Sequence, residues 1–150
     1  MRIRSSVRNT DKGYKKMLRN VHIKGARVEV GVFAQAGASL YESGASVIDV
    51  AVWAEFGTVR QPPRPFIRLY FDTQQKHITG MALQGFRGIA KGDKTLSQVL
   101  NHIGLKISDE IRMKIIEGYP GIPPNAPLTI AWKGHDTPLI GTTGQLRDSI

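Results

Sequence analysis

The spacing of hydrophobic residues divides the chain into amphipathic segments, and the clearest of them covers residues 95 to 117. Thr95 and Gln98 have the spacing of a capping box, which predicts the helix start. Gly104 lies inside the segment, and we interpret it as a point of close packing on another backbone. The apolar positions recur every three or four residues, as on one helix face: Leu96, Val99, Leu100, Ile103, Ile107, Ile111 and Ile115.

Two shorter helices are predicted in the first half of the chain. Residues 11 to 20 place Tyr14, Met17 and Leu18 on one face, with Asp11 near the start. A second helix begins after Ser46, which forms a weaker capping box with Asp49, and stops at Gly57. A strand over residues 47 to 53 is the alternative, because this stretch is rich in β-branched residues. The matched start and stop signals favour the helix.

The pattern of the remaining segments is less regular. A helix is predicted to follow Pro65, on the apolar positions Phe66, Leu69, Tyr70, Thr73, His77, Ile78 and Met81. Four glycines between residues 80 and 94 predict that this helix frays or gives way to a loop. Residues 128 to 132 are compatible with a helical turn. A last short amphipathic piece contains Leu146 and Ile150, with Thr142 or Thr143 as its cap.

One segment has the pattern of a β-strand. Val28, Val30 and Val32 alternate with Arg27, Glu29 and Gly31, and a period of two in β-branched residues is typical of a half-buried strand. Residues 34 to 46, which follow, are small and rich in glycine and serine, and we interpret them as a flexible loop.

Length and charge refine this picture. At 150 residues, with 41% hydrophobic and 22% charged residues, the chain is expected to form one domain over residues 11–150. It has no cysteine, its start does not read as a signal peptide, and no apolar run approaches the roughly 20 residues of a membrane helix.

The net charge of +9 is concentrated near the N-terminus, since residues 1 to 27 hold nine basic side chains and one acid. Residues 1–10 are predicted to form a basic, mobile arm. Such a block can meet phosphate or an acidic partner surface, or it can be a solvated face. The basic residues singled out for a binding role are Arg2, Arg4, Arg8, Lys12, Lys15 and Lys16.

A search for chemistry identifies no catalytic, cofactor-binding or metal-binding residues. The four histidines are far apart in sequence and do not pair on one helix: His22, His77, His102 and His135. Asp109 and Glu110 are adjacent, so they point to different sides of their helix. No serine lies in a nucleophile-elbow pattern, and no glycine pair has the form of a phosphate loop. The chain is therefore predicted not to be an enzyme.

The proline-rich stretch from Ala54 to Arg68 is the most distinctive part of the sequence. Pro62, Pro63 and Pro65 restrict the backbone, so the loop is stiff before anything packs on it. A stiff, basic and aromatic loop is suited to docking, although it can also be a well-made turn between helices. The predicted interface residues are Phe56, Gly57, Pro63, Arg64, Pro65, Phe66 and Arg68. Arg64 is expected to pair with Glu55 or with a neighbour's carboxylate, and each phenylalanine is expected to be a core anchor or an interface contact.

Two stretches resemble the tail-completion and head–tail joining proteins of tailed bacteriophages, of the minor tail protein Z type. The first is AEFGT at residues 54 to 58, followed by PRPFIR at residues 63 to 68. The second is NAPLTIAWKG at residues 125 to 134, followed by PLI at residues 138 to 140 and TGQLRDSI at residues 143 to 150. The two stretches occur in the order found in that family.

The resemblance implies an α+β fold, with a small antiparallel sheet packed against a long amphipathic helix and several shorter helices. It implies a structural virion protein that forms a ring at the phage neck, completes the tail and joins it to the head connector. Its expected partners are copies of itself, head connector or adaptor proteins, and tail tube or tail terminator proteins. Proximity to genomic DNA and a host cytoplasmic stage during assembly are expected, without cofactor or membrane. The alternative function is nucleic-acid binding through the basic arm.

Overall fold

The computed structural model describes residues 13–21, 25–33, 35, 38–141 and 143–150. Six helices run through these residues, and loops rich in proline or glycine join several of them. The helices are α1 (Tyr14–Val21), α2 (Val47–Phe56), α3 (Phe66–Lys91), α4 (Leu96–Glu117), α5 (Pro127–Lys133) and α6 (Gln145–Asp148). Asp11, the expected start of α1, and residues 1–10, the expected arm, lie outside the described residues. None of the described helices has both the length and the apolar character needed to cross a membrane.

The predicted α+β fold is wrong. The structure is 60% helical and only 3% strand, and it contains no sheet among the described residues. The described residues contain two isolated antiparallel β-bridges, Leu40 with Ser46 and Thr58 with Gln61. Each closes a local turn, so neither provides a layer on which helices could pack.

The segment around Val28 explains why the strand prediction failed. It forms no ladder with any described segment. Its apolar side chains pack on helices instead: Val30 and Val32 contact the core, and Val28 lies over Gly104 of α4. A Cβ at Gly104 would be 2.5 Å from Val28 Cγ2, so the absence of a side chain at Gly104 makes room for the Val28 side chain. The prediction that Gly104 packs against another backbone is therefore wrong. Alternating apolar and polar residues indicate that one side of an extended segment is buried. Either a sheet or a helix can cover that side.

Helices α3 and α4 form a long antiparallel hairpin, and α3 is continuous where a break was expected. It passes through Gly80, Gly85 and Gly88 and ends only at Gly92, which takes the left-handed conformation with φ 80°. A Cβ at Gly85 would overlap Val99 Cγ1 of α4, so this glycine permits close approach of the helices. The packing gained there offsets the roughly 1 kcal/mol that a mid-helix glycine costs.

The predicted capping box at the start of α4 is confirmed. Thr95 and Gln98 form the reciprocal capping box of α4.

Tyr70 of α3 donates a hydrogen bond to Glu110 of α4, and the His77 Nε2 atom lies 3.1 Å from the same carboxylate. Burial raises the pKa of Glu110, but the hydrogen bonds from Tyr70 and His77 outweigh it, so that pKa lies below its ordinary value.

The core lies where α2 and the C-terminal segment meet this hairpin. Phe66 and Tyr70 are buried at the start of α3 and face an isoleucine stripe of α4. Burying one such aromatic side chain contributes about 3 kcal/mol. The rest of the core comes from both helices of the hairpin, from α2 and from the segment after α4: Ile89, Val99, Ile103, Ile107, Ile111, Ile115, Val47, Ala51, Ala54, Tyr119, Leu139, Leu146 and Ile150. The short piece α6 contributes Leu146, but Gly144, with φ 68°, stands at its cap position in place of the predicted threonine.

Candidate assembly interface

The turn after α2 is shaped by Gly57 and closes the proline-rich loop on itself. Gly57 has φ 78°, and its N–H donates to Trp53 O at the helix end. A Cβ at this position would be 2.8 Å from Pro63 N, so a larger residue would force the loop open. Thr58 Oγ1 accepts hydrogen bonds from the N–H groups of Arg60 and Gln61, which holds the loop tip. The predicted helix stop at Gly57 is confirmed.

Glu55 has a different partner from the one expected. Its carboxylate accepts hydrogen bonds from the N–H groups of Ile67 and Arg68, both at 3.1 Å. Pro65 at the cap position of α3 provides no side-chain hydrogen bond, so Glu55 caps α3 from the neighbouring helix. The side chain of Arg68 adds a weak ion pair at 3.9 Å. The predicted pair between Arg64 and Glu55 is therefore absent.

Arg64 instead joins the loop to the C-terminal segment. Its side chain is buried, and its two terminal nitrogens donate to Pro138 O at 3.0 Å and Pro124 O at 3.1 Å. The Arg64 N–H donates to Ala54 O at 2.6 Å, which fixes the loop against α2. Burial lowers the pKa of Arg64, and the nearby Asp136 carboxylate opposes that shift. The arginine thus connects the two stretches of the sequence that carry the family resemblance.

These contacts enclose a groove of about 660 Å³. Its walls come from α2, from the proline-rich loop and from the segment between Pro124 and Leu146. Trp53, Pro62 and Leu139 supply apolar surface, and Arg60, Arg64, Asn125 and Lys133 supply polar groups. Lys133 Nζ donates to Ile140 O at 2.9 Å. Burial and the neighbouring Arg64 charge lower the pKa of Lys133, while Asp136 raises it.

Asn125 is the unusual residue of this groove. Its backbone N–H donates to Asp136 Oδ1 at 3.2 Å, but neither atom of its side-chain amide has a hydrogen-bond partner among the described residues. The residue is only 5% exposed. Buried amide groups are nearly always paired, so an amide without a partner among the described residues is exceptional.

The outward side of α2 is the second feature of this region. Val47, Ala51 and Ala54 are buried against the core, but Val52, Trp53 and Phe56 are 47%, 44% and 69% exposed. The Arg68 guanidinium carbon lies 5.9 Å from the centre of the Phe56 ring and holds it in place. Val59 at the loop tip is fully exposed and extends this surface. We call Val52, Trp53, Phe56 and Val59 the α2 face.

The predicted interface residues divide into two groups. Phe56, Pro63 and Arg68 are exposed and border the α2 face, with Gly57 and Pro65 half-buried between them. Phe66 is fully buried and belongs to the core. Arg64 is nearly buried, and its hydrogen bonds connect segments of the same chain. Trp53, Val52 and Asn125 were not singled out from the sequence, although the almost wholly apolar composition of α2 was a signal for the first two.

The basic residues singled out near the N-terminus do not join this site within the described part of the chain. Lys15 and Lys16 lie on α1, which packs along α3, and the Lys16 side chain lies beside Gly92 at the end of α3. A lysine there complements the negative end of the helix dipole. Arg2, Arg4, Arg8 and Lys12 lie outside the described residues.

Comparison with protein-family models, curated proteins and solved structures finds no match to this chain. Within the described residues, no group of three or more histidine, aspartate or glutamate side chains is arranged to hold a metal ion.

Proposed function

We propose that the chain is a structural protein of a tailed-phage virion, which forms a ring at the neck, completes the tail and joins it to the head connector. Its partners in this role are copies of itself, connector or adaptor proteins above, and tail tube or terminator proteins below. It acts in the virion, after assembly in the host cytoplasm. The proposal rests on the family resemblance together with the exposed apolar α2 face.

The α2 face is the observation that carries the assembly function. Only two of the ten residues of α2 are polar, and both are used as caps: Asp49 at its own start and Glu55 at the start of α3. A helix that is apolar on all sides is typical of a buried position. Here one side is buried and the other is exposed, and contiguous exposed apolar surface marks a contact with another molecule.

The geometry of the loop supports the same role. Gly57, the Thr58–Gln61 bridge and the buried Arg64 fix the backbone that carries Val59 and Pro63. A surface that is already rigid loses little conformational entropy on docking, so more of its burial energy appears as affinity. A ring needs head-to-tail contacts between two different patches, and the α2 face supplies one of them.

Sedimentation velocity at high concentration, followed by negative-stain imaging of cross-linked samples, tests the proposal on the purified chain. The wild-type chain is expected to form closed rings at roughly 100 μM, a concentration that populates even weak contacts. The double variant Val52→Ser with Phe56→Ser removes apolar area from the α2 face and is expected to lower the ring fraction at least tenfold. Phe86→Ser is the matched control, since Phe86 is an exposed phenylalanine on α3, and its rings are expected to match wild type.

The phage carrying this gene provides the second half of the test. Deletion of the gene is expected to leave filled heads and unattached tails, and the wild-type chain supplied in trans is expected to restore joining. A chain that stays monomeric at high concentration, together with normal virions after deletion, contradicts the proposal. Salt-dependent binding to duplex DNA without ring formation would favour the alternative, a nucleic-acid-binding protein.

A further inference from the structure

We propose that the groove beside α2 binds an extended, acidic peptide segment of a neighbouring virion protein. This inference rests on the proposed function, because it assumes that the chain works inside an assembly. It concerns the groove, however, and not the α2 face that is proposed to join copies of the chain. The two surfaces share Trp53, which is both exposed and part of the groove wall.

The chemistry of the groove floor indicates a peptide main chain. The Asn125 side-chain amide carries an NH₂ donor group and a carbonyl acceptor in the same plane, and neither has a hydrogen-bond partner among the described residues. A main-chain amide presents the complementary acceptor and donor. Recognition of extended segments commonly combines hydrogen bonds to the main chain with apolar contacts for alternate side chains. Trp53 and Leu139 provide such apolar surface on the groove walls.

The charge of the groove indicates that the segment is acidic. Arg60, Arg64 and Lys133 line it, and Asp136 is the carboxylate that interacts with the last two, so the local balance is positive. The Arg60 side chain has no hydrogen bond or ion pair among the described residues. An arginine at the rim is therefore free to pair with an incoming carboxylate.

The same charge argues against the N-terminal arm of a second copy as the occupant. Residues 1 to 12 contain Arg2, Arg4, Arg8 and Lys12 against the single acid Asp11. A segment with a net charge of +3, from four bases less one acid, would meet a groove of the same sign. Like charges disfavour that pairing, so the occupant comes from another protein.

Fluorescence anisotropy with three end-blocked model peptides tests the inference. The probe alternates leucine and glutamate, and the two controls replace every glutamate with glutamine or with lysine. The glutamate peptide is expected to bind at least about tenfold more tightly than the glutamine peptide in low salt, and to lose that advantage as salt is added. The lysine peptide is expected to bind least.

Two variants and a matched control assign the binding to the groove. Asn125→Ala is expected to weaken the glutamate peptide about tenfold while leaving thermal stability equal or higher, because the removed amide has no described partner. Arg60→Glu is expected to abolish the preference for glutamate over glutamine. Arg87→Glu makes the same charge change at an exposed position of α3 outside the groove, and its preference is expected to stay as in wild type.

The outcomes separate this inference from the proposed function. Equal or undetectable binding of the glutamate and glutamine peptides up to about 1 mM overturns the inference, whether or not rings form. A marked loss of stability in Asn125→Ala also overturns it, since the amide would then be satisfied within the chain. Ring formation by Asn125→Ala is expected to be unchanged, and its loss would make a second copy the occupant.

Discussion

The α3–α4 hairpin and the groove region are held together in different ways. The hairpin joins two helices that follow each other directly, with a capping box at the start of α4, and a continuous isoleucine stripe packs between them. The groove region joins α2 and the loop that directly follows it to the segment between Pro124 and Leu146, which is far away along the chain. Its central contact is Arg64, whose two carbonyl partners are 60 and 74 residues away. The hairpin therefore has many equivalent contacts, whereas the groove depends strongly on one side chain.

This difference determines how each region is expected to respond to substitution. A repetitive apolar interface tolerates the loss of one contact, because its neighbours remain. A single buried cation that satisfies two carbonyls is harder to replace, since its removal leaves both acceptors unpaired. The proposed contact surfaces lie beside the second kind of structure, where the loop, α2 and the C-terminal segment meet.

The largest expected effect tests the dependence of the groove on Arg64. Arg64→Met keeps much of the side-chain volume but leaves the carbonyls of Pro124 and Pro138 unpaired, so it is expected to destabilise the chain by about 2–4 kcal/mol. Denaturant unfolding measures the total. Hydrogen exchange is expected to show lost protection in residues 119–141 and retained protection in α4.

Arg68, in the first turn of α3, provides the control for that variant. Arg68→Met removes an exposed side chain whose ion pair with Glu55 is long, at 3.9 Å, so its cost is expected to stay below about 1 kcal/mol. Equal losses of unfolding free energy in the two variants would show that the groove region does not depend on the hydrogen bonds of Arg64.

A smaller effect is expected from adding a side chain at Gly85, where α3 and α4 approach each other closely. Gly85→Ala places a methyl group on Val99 and is expected to cost about 1–3 kcal/mol in unfolding free energy, because one helix must shift. Gly80→Ala is the matched control, since nothing lies within 4 Å of the new Cβ there. It is expected to stabilise the chain by up to about 1 kcal/mol. If Gly85→Ala were equally stabilising, the close helix approach would not exist.

The smallest effect concerns the pH dependence of the hairpin. The pKa of Glu110 is lower in the folded chain than its ordinary value of 4.5, so its contribution to stability is present above that pH and is lost as the pH falls through the folded value. Glu110→Gln is expected to cost about 1 kcal/mol at pH 7. It should also reduce the fall in melting temperature between neutral and acidic buffer.

The exposed Glu42 provides the comparison for this measurement. Glu42→Gln is expected to leave the pH profile of the melting temperature as in wild type, because Glu42 is exposed and makes none of the hydrogen bonds that involve Glu110. An unchanged acid slope in Glu110→Gln would show that the bond from Tyr70 does not favour the charged carboxylate.

Sequence patterns predicted those parts of the structure in which the signal and its partner are close together. The capping boxes at Ser46 and Thr95 and the helix stop at Gly57 are confirmed. Each is a contact within three or four residues, so residue type and spacing are sufficient. The isoleucine stripe of α4 was predicted for the same reason, because helical periodicity is a local property.

Patterns failed where one residue type was compatible with two partners. The alternation around Val28 indicated a buried side but could not distinguish a sheet from a helix as the cover. The glycines of α3 indicated a break, although Gly85 serves close packing. Arg64 was expected to pair with a carboxylate, but it binds two carbonyls that were not near it in sequence.

The sequence by itself determined the positions of most helices, the capping boxes at Ser46 and Thr95 and the restricted backbone of the loop after Gly57, since these follow from backbone restrictions and short-range hydrogen bonds. The tertiary structure alone decided that Phe66 is buried while Phe56 is exposed, and that the Asn125 side-chain amide lies in the groove beside Arg64 without a partner among the described residues. Those outcomes depend on which distant segments cover a side chain. Long-range packing determines that cover, and no local spacing of residues encodes it.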